Sequence, residues 1–421
     1  MRVLLPVIGT LGDLFPFLAL AREFTRRGHE VTICTYPMYE GRIRELSLDF
    51  LPTHPYITRE YLNAGLLSMA SDHKPRMFED SRRFFSEMIL KDALQRYEEI
   101  REAARGADFA VCHHFDYPAQ EAVIREKVPW ACTALSTFHV PTKRRAPHFE
   151  KLVNYGPLLN TLQWKTAGIL ENLIFLRPVR DFLAAVRSER PRIRSFPESP
   201  HINFIAVSPH VETLPDDYPP SYCRTGIWEF DQGNAGYVPP AELEAFLAER
   251  EKPVVVTLGS MGGRGEGMAE VFVEAARRFG RPVILQKGWC DLGFREKQED
   301  VLSVNFIPHD FLFRRAYLVI HHGGAGTSYA ACRAGVPSIV IAHASDQYFI
   351  GQMLGKRNVA PRPIRRLELS VRTLSDRMAR LVRGDMFRSA RLFQGSMTEE
   401  RGAEKAVRAA ENLLAGGPNP S

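Results

Sequence analysis

Short β-branched apolar runs alternate with longer amphipathic stretches along the chain, in two separate series. In the first, runs at 2–8 (RVLLPVI), 30–35 (EVTICT), 109–114 (FAVCHH), 129–135 (PWACTAL) and 203–208 (NFIAVS) predict five strands. The stretch from Leu14 to Arg27 repeats its apolar residues at helical spacing and stops at Gly28, which predicts a helix behind the first strand. Residues 77–106 and 149–187 also read as amphipathic helices, with too few strands beside them to extend a sheet, and are expected to be insertions that shape a pocket. Periodicity then lapses at 231–240 (DQGNAGYVPP), a cluster of Gly, Pro and Asn. The second series opens with a helical pattern at 240–250 and continues through five apolar runs at 253–260, 281–286, 301–306, 316–322 and 336–342. A final amphipathic stretch from Phe387 to Leu414 has no partner strand.

Strand–helix alternation of this kind implies parallel sheets covered on both faces. The expected fold class is therefore α/β, with two Rossmann-like doubly wound parallel-sheet domains. Residues 1–230 form the first, 231–240 a linker, 241–386 the second, and 387–421 a terminal helix and tail.

Length agrees, since 421 residues exceed what one core comfortably holds. Apolar residues at 45% and charged residues at 25% are values of an ordinary globular chain. The net charge of +6 comes from 55 basic against 49 acidic residues, and the densest basic run, Lys143 to Arg145, is too small for a nucleic-acid footprint. No nucleic-acid partner is expected, only a mild preference for anionic ligands or membrane surfaces. Six cysteines without a CxxC pair suit a reducing compartment, and a first segment that reads directly as a strand is not a secretory leader, so a cytoplasmic location is expected. No apolar run approaches the roughly 20 residues of a membrane span, which leaves peripheral contact as the one membrane association to consider.

Three glycine-rich turns follow predicted strands, where helix-start N–H groups attract anions: VIGTLGDLFP at 7–16, VTLGSMGGRG at 256–265 and HHGGAGTSY at 321–329. None is the dinucleotide fingerprint. Gly9 and Gly12 lie three apart with no third glycine after them, and no acidic residue ends the second strand to hold a ribose, so nicotinamide binding is disfavoured. In the third turn Gly323, Gly324 and Gly326 let backbone approach a ligand, and Thr327 adds a hydroxyl. His321 and His322 are consecutive on an extended segment and point to opposite sides, which disfavours a metal pair and leaves one ring to face an anion, expected to be a diphosphate.

Two segments carry a resemblance. FIPHDFLFRRAYLVIHHGGAGTSYAACRAGVPSIVIAHASDQYFIGQ at 306–352 and GTLGDLFPFLALAREFTRRGHEV at 9–31 resemble the nucleotide-sugar-dependent glycosyltransferases of the sterol and antibiotic type, built on the two-domain GT-B fold. The opening is also similar to that of bacterial rhamnosyltransferases that build glycolipids. The resemblance implies a cleft between an N-terminal acceptor domain and a C-terminal donor domain, with the last helix crossing back to the first. It places a donor diphosphate on His322, Gly324, Gly326, Thr327 and Ser260, and the sugar hydroxyls on Asp346 and Gln347. The nucleobase falls to Phe306, Ile307 and His309, although plant members carry tryptophan where Phe306 stands. Asp13 takes the place of the general base, and Gly12, His114, Phe138 and His139 the acceptor side. The implied reaction inverts the sugar's anomeric centre without metal or cofactor, the helix dipole and His322 meeting the departing charge. The donor would be a UDP- or dTDP-sugar, and the acceptor a hydroxyl on an apolar natural product, sterol or lipid.

Plainer roles stand beside these. Asp13 would serve equally as the N-cap of a helix starting at Leu14, and Asp346 as the cap of the helix after it. His113 and His114, near Asp116, suggest a metal site or an assisting dyad, with polar lining of the cleft the favoured reading. Phe138, His139 and Lys143 to Arg145 suit either an acceptor entrance or a solvated loop. Two rival functions share the fold: a nucleotide-sugar epimerase or hydrolase, and a non-catalytic nucleotide-sugar-binding partner protein.

Overall fold

The computed structural model describes residues 1–69, 82–83, 85–147, 153–174, 176–187, 197–230, 237–259, 267–288 and 298–417. It contains two wholly parallel sheets. The first is built from β1 (Arg2–Pro6), β2 (Glu30–Thr35), β3 (Asp49–Pro52), β4 (Phe109–His113), β5 (Trp130–Ala134), β6 (Ile202–Ile205) and β7 (Tyr222–Arg224), in the order 3-2-1-4-5-6-7. The second holds β8 (Val254–Thr257), β9 (Val283–Gln286), β10 (Val301–Val304), β11 (Leu318–His321), β12 (Ser338–Ala342) and β13 (Ile364–Arg365), in the order 10-9-8-11-12-13. All ten predicted strands are present. Their residues are buried on both faces, as covered parallel strands must be, and so read as continuous apolar runs. The pattern missed β3, β7 and β13. These lie at or next to sheet edges and run for only four, three and two residues, too few to write a pattern.

The first helix spans Leu11–Arg26, three residues earlier than the apolar period predicts. Thr10 is its N-cap: the hydroxyl accepts the Gly12 N–H at 3.1 Å, while the Asp13 carboxylate reaches back to the Thr10 N–H at 2.8 Å. Capping chemistry thus extends the helix back through Leu11, Gly12 and Asp13, ahead of the apolar repeat.

Elements around the first sheet are tied by a buried charge. Arg96, on the helix Ala93–Ala104, is 1% exposed and pairs with the fully buried Asp116; it also donates to Thr53 Oγ1 and to the His54 carbonyl. Asp116 in turn caps the helix Tyr117–Arg125 through the Ala119 N–H at 3.3 Å. One ion pair therefore fixes the turn after β4.

The predicted helix at 149–187 is two, Pro157–Ile174 and Arg177–Val186. The first departs from the expectation that it shapes a pocket, because its apolar side faces outward. The terminal stretch also divides. Met386–Thr398 packs on Ala325–Ala334 of the second domain, whereas Gly402–Leu414 places Ala406, Val407, Ala409 and Ala410 in the first domain's core. Arg27 grips Glu411 of that helix through both nitrogens, at 2.9 and 2.5 Å. Between the two helices Glu400 accepts from the Ser208 hydroxyl and from the Ile227 N–H at 3.2 Å.

Asp116→Ala would leave Arg96 as a buried, uncompensated cation. We expect a loss of roughly 3–5 kcal/mol in urea unfolding. A loss below about 1 kcal/mol would show that the pair does not anchor this turn.

Candidate functional site

Both sheets reverse their strand order once, between β1 and β4 and between β8 and β11. At such a point the connections leave to opposite faces and a crevice opens beyond the carboxyl ends. The sequence-predicted chemistry gathers at these two crevices.

At the first, Asp13 follows β1 and His113 ends β4. Asp13 is not the N-cap; it is the third residue of the helix, with Oδ2 taken by the Thr10 N–H. Its Oδ1 lies 3.4 Å from His113 Nε2. His113 Nδ1 accepts the Phe115 N–H at 3.3 Å, which turns Nε2 towards the carboxylate, without a hydrogen bond to it. The aspartate side chain keeps 32% of its surface while the histidine behind it keeps 3%. Gly9, at φ +113°, makes room: a Cβ there would run into the Asp13 carboxylate. The sequence reading favoured His113 as mere lining, because residues 100 apart give no local sign that β1 and β4 are neighbours.

The rest of the proposed metal cluster has other partners. Asp116 belongs to Arg96, and among the described residues no three metal-ligating side chains converge. Gly12 is exposed on the helix start beside Asp13. His114 and His139 are half-buried, with centroids 6.5 Å apart, in an aromatic group that includes Phe115, Phe138 and Phe85. Burial pushes the His139 ring down to about 4 and lowers His114 well below its ordinary range. Phe138 meets Phe349 of the second domain at 6.1 Å. In the basic run beyond them Arg145 is engaged by the buried Glu212 and lies over the Phe349 ring, while the exposed Arg144 pairs with the exposed Asp216.

At the second crevice, β11 ends in His321 and the helix Ala325–Ala334 begins after Gly324. His321 turns inward, fully buried, and accepts the Gly323 N–H at 3.1 Å. His322 takes the other side, as the alternation requires. Its ring fills a slot between two glycines: a Cβ on Gly259 would come within 2.7 Å of Cε1, and one on Gly324 would overlap Nε2. Gly326, by contrast, faces open space, and Thr327 is buried in the helix's first turn. Ser260 lies outside the described residues.

The end of the neighbouring strand β12 adds a group that the sequence reading did not single out. His343 follows β12, and neither ring nitrogen finds a hydrogen-bond partner. Burial is the main cause that holds His322 near 4 and His343 near 3, with His309 and His322 respectively adding repulsion. These rings are neutral donors at neutral pH. Gln347 is buried, its side-chain oxygen accepting the His343 N–H at 2.9 Å. Asp346 is not a cap, since Ala344 holds that position. Burial raises its carboxyl above the ordinary range, and Asp13 adds to the rise. The two crevices therefore share one electrostatic space.

Of the residues expected at a nucleobase, Phe306 offers its ring, 47% exposed. Ile307 is in the core with its N–H given to Gln286, and His309 stacks on Phe313 at 4.5 Å, so neither presents a free side-chain face as Phe306 does.

Comparison with known proteins agrees with this geometry. Residues 3–125 match the family model described as the glycosyltransferase family 28 N-terminal domain, and residues 291–394 that of the erythromycin biosynthesis protein CIII-like C-terminal domain. The chain is 30% identical to the O-mycaminosyltylonolide 6-deoxyallosyltransferase of Streptomyces fradiae over 96% of both chains. It is 27% identical to a sterol 3-beta-glucosyltransferase of Arabidopsis thaliana, aligning over 97% of its own length and 65% of that longer protein. Among solved structures, the spinosyn rhamnosyltransferase complexed with thymidine diphosphate superposes with a TM-score of 0.66 at 16% identity, over 98% of this chain and all of that one, and shows the shared GT-B fold. With paired parallel sheets, a histidine held at a glycine-rich helix start and this identity along nearly the full length, the chain belongs to the family of sterol- and antibiotic-type glycosyltransferases.

Proposed function

We propose that this chain transfers a sugar from a nucleoside diphosphate to a hydroxyl of an apolar acceptor, with inversion at the anomeric carbon and without a metal ion. The observation that carries the reading is that Asp13 at one strand-order reversal and the His322 helix start at the other stand on domains in contact through Phe138 and Phe349, 6.1 Å apart. In this reading the donor's diphosphate rests on the free N–H groups of residues 325–327, with the His322 ring and the Thr327 hydroxyl beside them. Asp346 and Gln347, on the next helix, face the sugar hydroxyls, and Phe306 stacks on the base. Uracil and thymine donors both suit these groups.

The acceptor oxygen attacks the anomeric carbon from the Asp13 side. Its proton passes to the Asp13 carboxylate as the new C–O bond forms, and the bond to the diphosphate breaks with its electron pair leaving on phosphate oxygen. The helix start and the neutral His322 donor stabilise that charge in a site already organised for it. His113 Nε2 backs Asp13 Oδ1 at 3.4 Å, while the Thr10 N–H holds Oδ2, so the base is positioned before the acceptor arrives. Phe85, Phe115, Phe138 and Phe349 supply an apolar wall beside it, which supports an acceptor of the polycyclic or macrolide kind.

Asp13→Asn is expected to lower kcat by about 10³-fold with a UDP- or dTDP-sugar while calorimetric binding of the nucleoside diphosphate persists in EDTA. Unchanged turnover, or binding that needs an added metal, would overturn the mechanism. His322 supplies a second test. Its ring is held near 4 by burial, and a neighbouring phosphate anion raises that value, so binding takes up a proton. Through neutral pH the ring stays a neutral donor; nucleoside diphosphate affinity should strengthen as pH falls below about 6 towards 4, and His322→Ala should flatten the part of that slope not due to the nucleotide's own titration. Identical slopes in the two proteins would remove His322 from the diphosphate site.

A further inference from the structure

The helix Pro157–Ile174 is built inside out. Its inward side is polar and hydrogen-bonded: Asn160 is fully buried and donates to the Lys143 carbonyl at 2.9 Å, Gln163 donates to the Val153 carbonyl at 3.2 Å, and Trp164 Nε1 to the Arg145 carbonyl at 2.7 Å. Its outward side carries Leu158, Leu159, Leu162, Ile169, Leu170 and Leu173, all between 49% and 88% exposed. These positions recur at helical spacing and form one stripe along about 27 Å of helix. An apolar surface of that extent, broken by only two residues, marks an interaction site rather than ordinary surface.

The charge on the stripe decides what covers it. Lys165 and Thr166 occupy its middle, both exposed, with three large apolar residues to either side. Two copies of this helix packed about a two-fold axis would bring Lys165 against its own image in the centre of a drying interface, which costs rather than contributes. Against a lipid surface the same residue is favourable: the leucines enter the acyl boundary and the lysine extends its stem to anionic headgroups. The chain's net charge of +6 acts in the same direction. No helix among the described residues is long and apolar enough to cross a membrane, so the contact lies in the plane of the interface.

We propose that the outward face of Pro157–Ile174 docks the first domain onto an anionic lipid bilayer, with Lys165 among the headgroup phosphates. This inference stands on the helix alone and does not require the reaction proposed above.

Vesicle sedimentation of the full chain tests it. The protein should pellet with vesicles of phosphatidylcholine and phosphatidylglycerol, less with phosphatidylcholine alone, and less in high salt. The double substitution L162D/I169D changes only exposed positions and should leave the melting temperature in place while lowering the bound fraction about tenfold. K165E should weaken binding to the mixed vesicles selectively. Absence of binding to either vesicle, or binding unaffected by L162D/I169D, would overturn the proposal. So would a dimer in sedimentation velocity that L162D/I169D dissolves without any vesicle binding, since the second copy would then be the occupant.

Discussion

A parallel sheet has all its carboxyl ends on one edge, and where strand order reverses, the connections part and leave that edge uncovered. Everything chemical in this molecule follows from that constraint, applied twice. Backbone carbonyls and N–H groups at the reversal cannot be satisfied by another strand, so short turns with small residues run directly into helix starts. Asp13 and His113 flank one reversal, Gly259 and His322 the other. Each pair is distant in sequence and adjacent in space because the strands that carry them are neighbours.

The two crevices differ in how they treat charge. At the second crevice, burial holds the histidines neutral, so the positive character comes from backbone dipoles and neutral ring donors that need little reorganisation beside an anion. At the first crevice, a carboxylate is held by a backbone N–H and backed by a buried histidine ring while a third of its surface stays open. Asp346, on the opposite domain, feels Asp13 as a further push on a carboxyl already raised by burial.

Much of this was legible in the sequence, for identifiable reasons. Buried parallel strands must be apolar throughout, so ten runs were visible, the edge strand β10 among them; β13, only two residues long, carried no such mark. His322 could be read because its glycines surround it in sequence. His113 could not, because its partner Asp13 stands a hundred residues away and the sheet order alone brings them together. His343 escaped because a lone ring after a strand has no pattern. The helix Pro157–Ile174 misled for a different reason: amphipathic spacing shows that a helix has two sides, and says nothing about which side faces in.

The terminal segment has a mechanical consequence. The chain passes from the first domain to the second at residues 231–240 and returns at Glu399–Arg401, where Glu400 is fastened to Ser208 and Ile227. Two bodies joined by one tether can tumble about it in any direction. Joined by two, they keep a single easy motion, rotation about the line through both crossings. A rotation of that kind lets the two domains part and return to the same register each time, without sliding past one another.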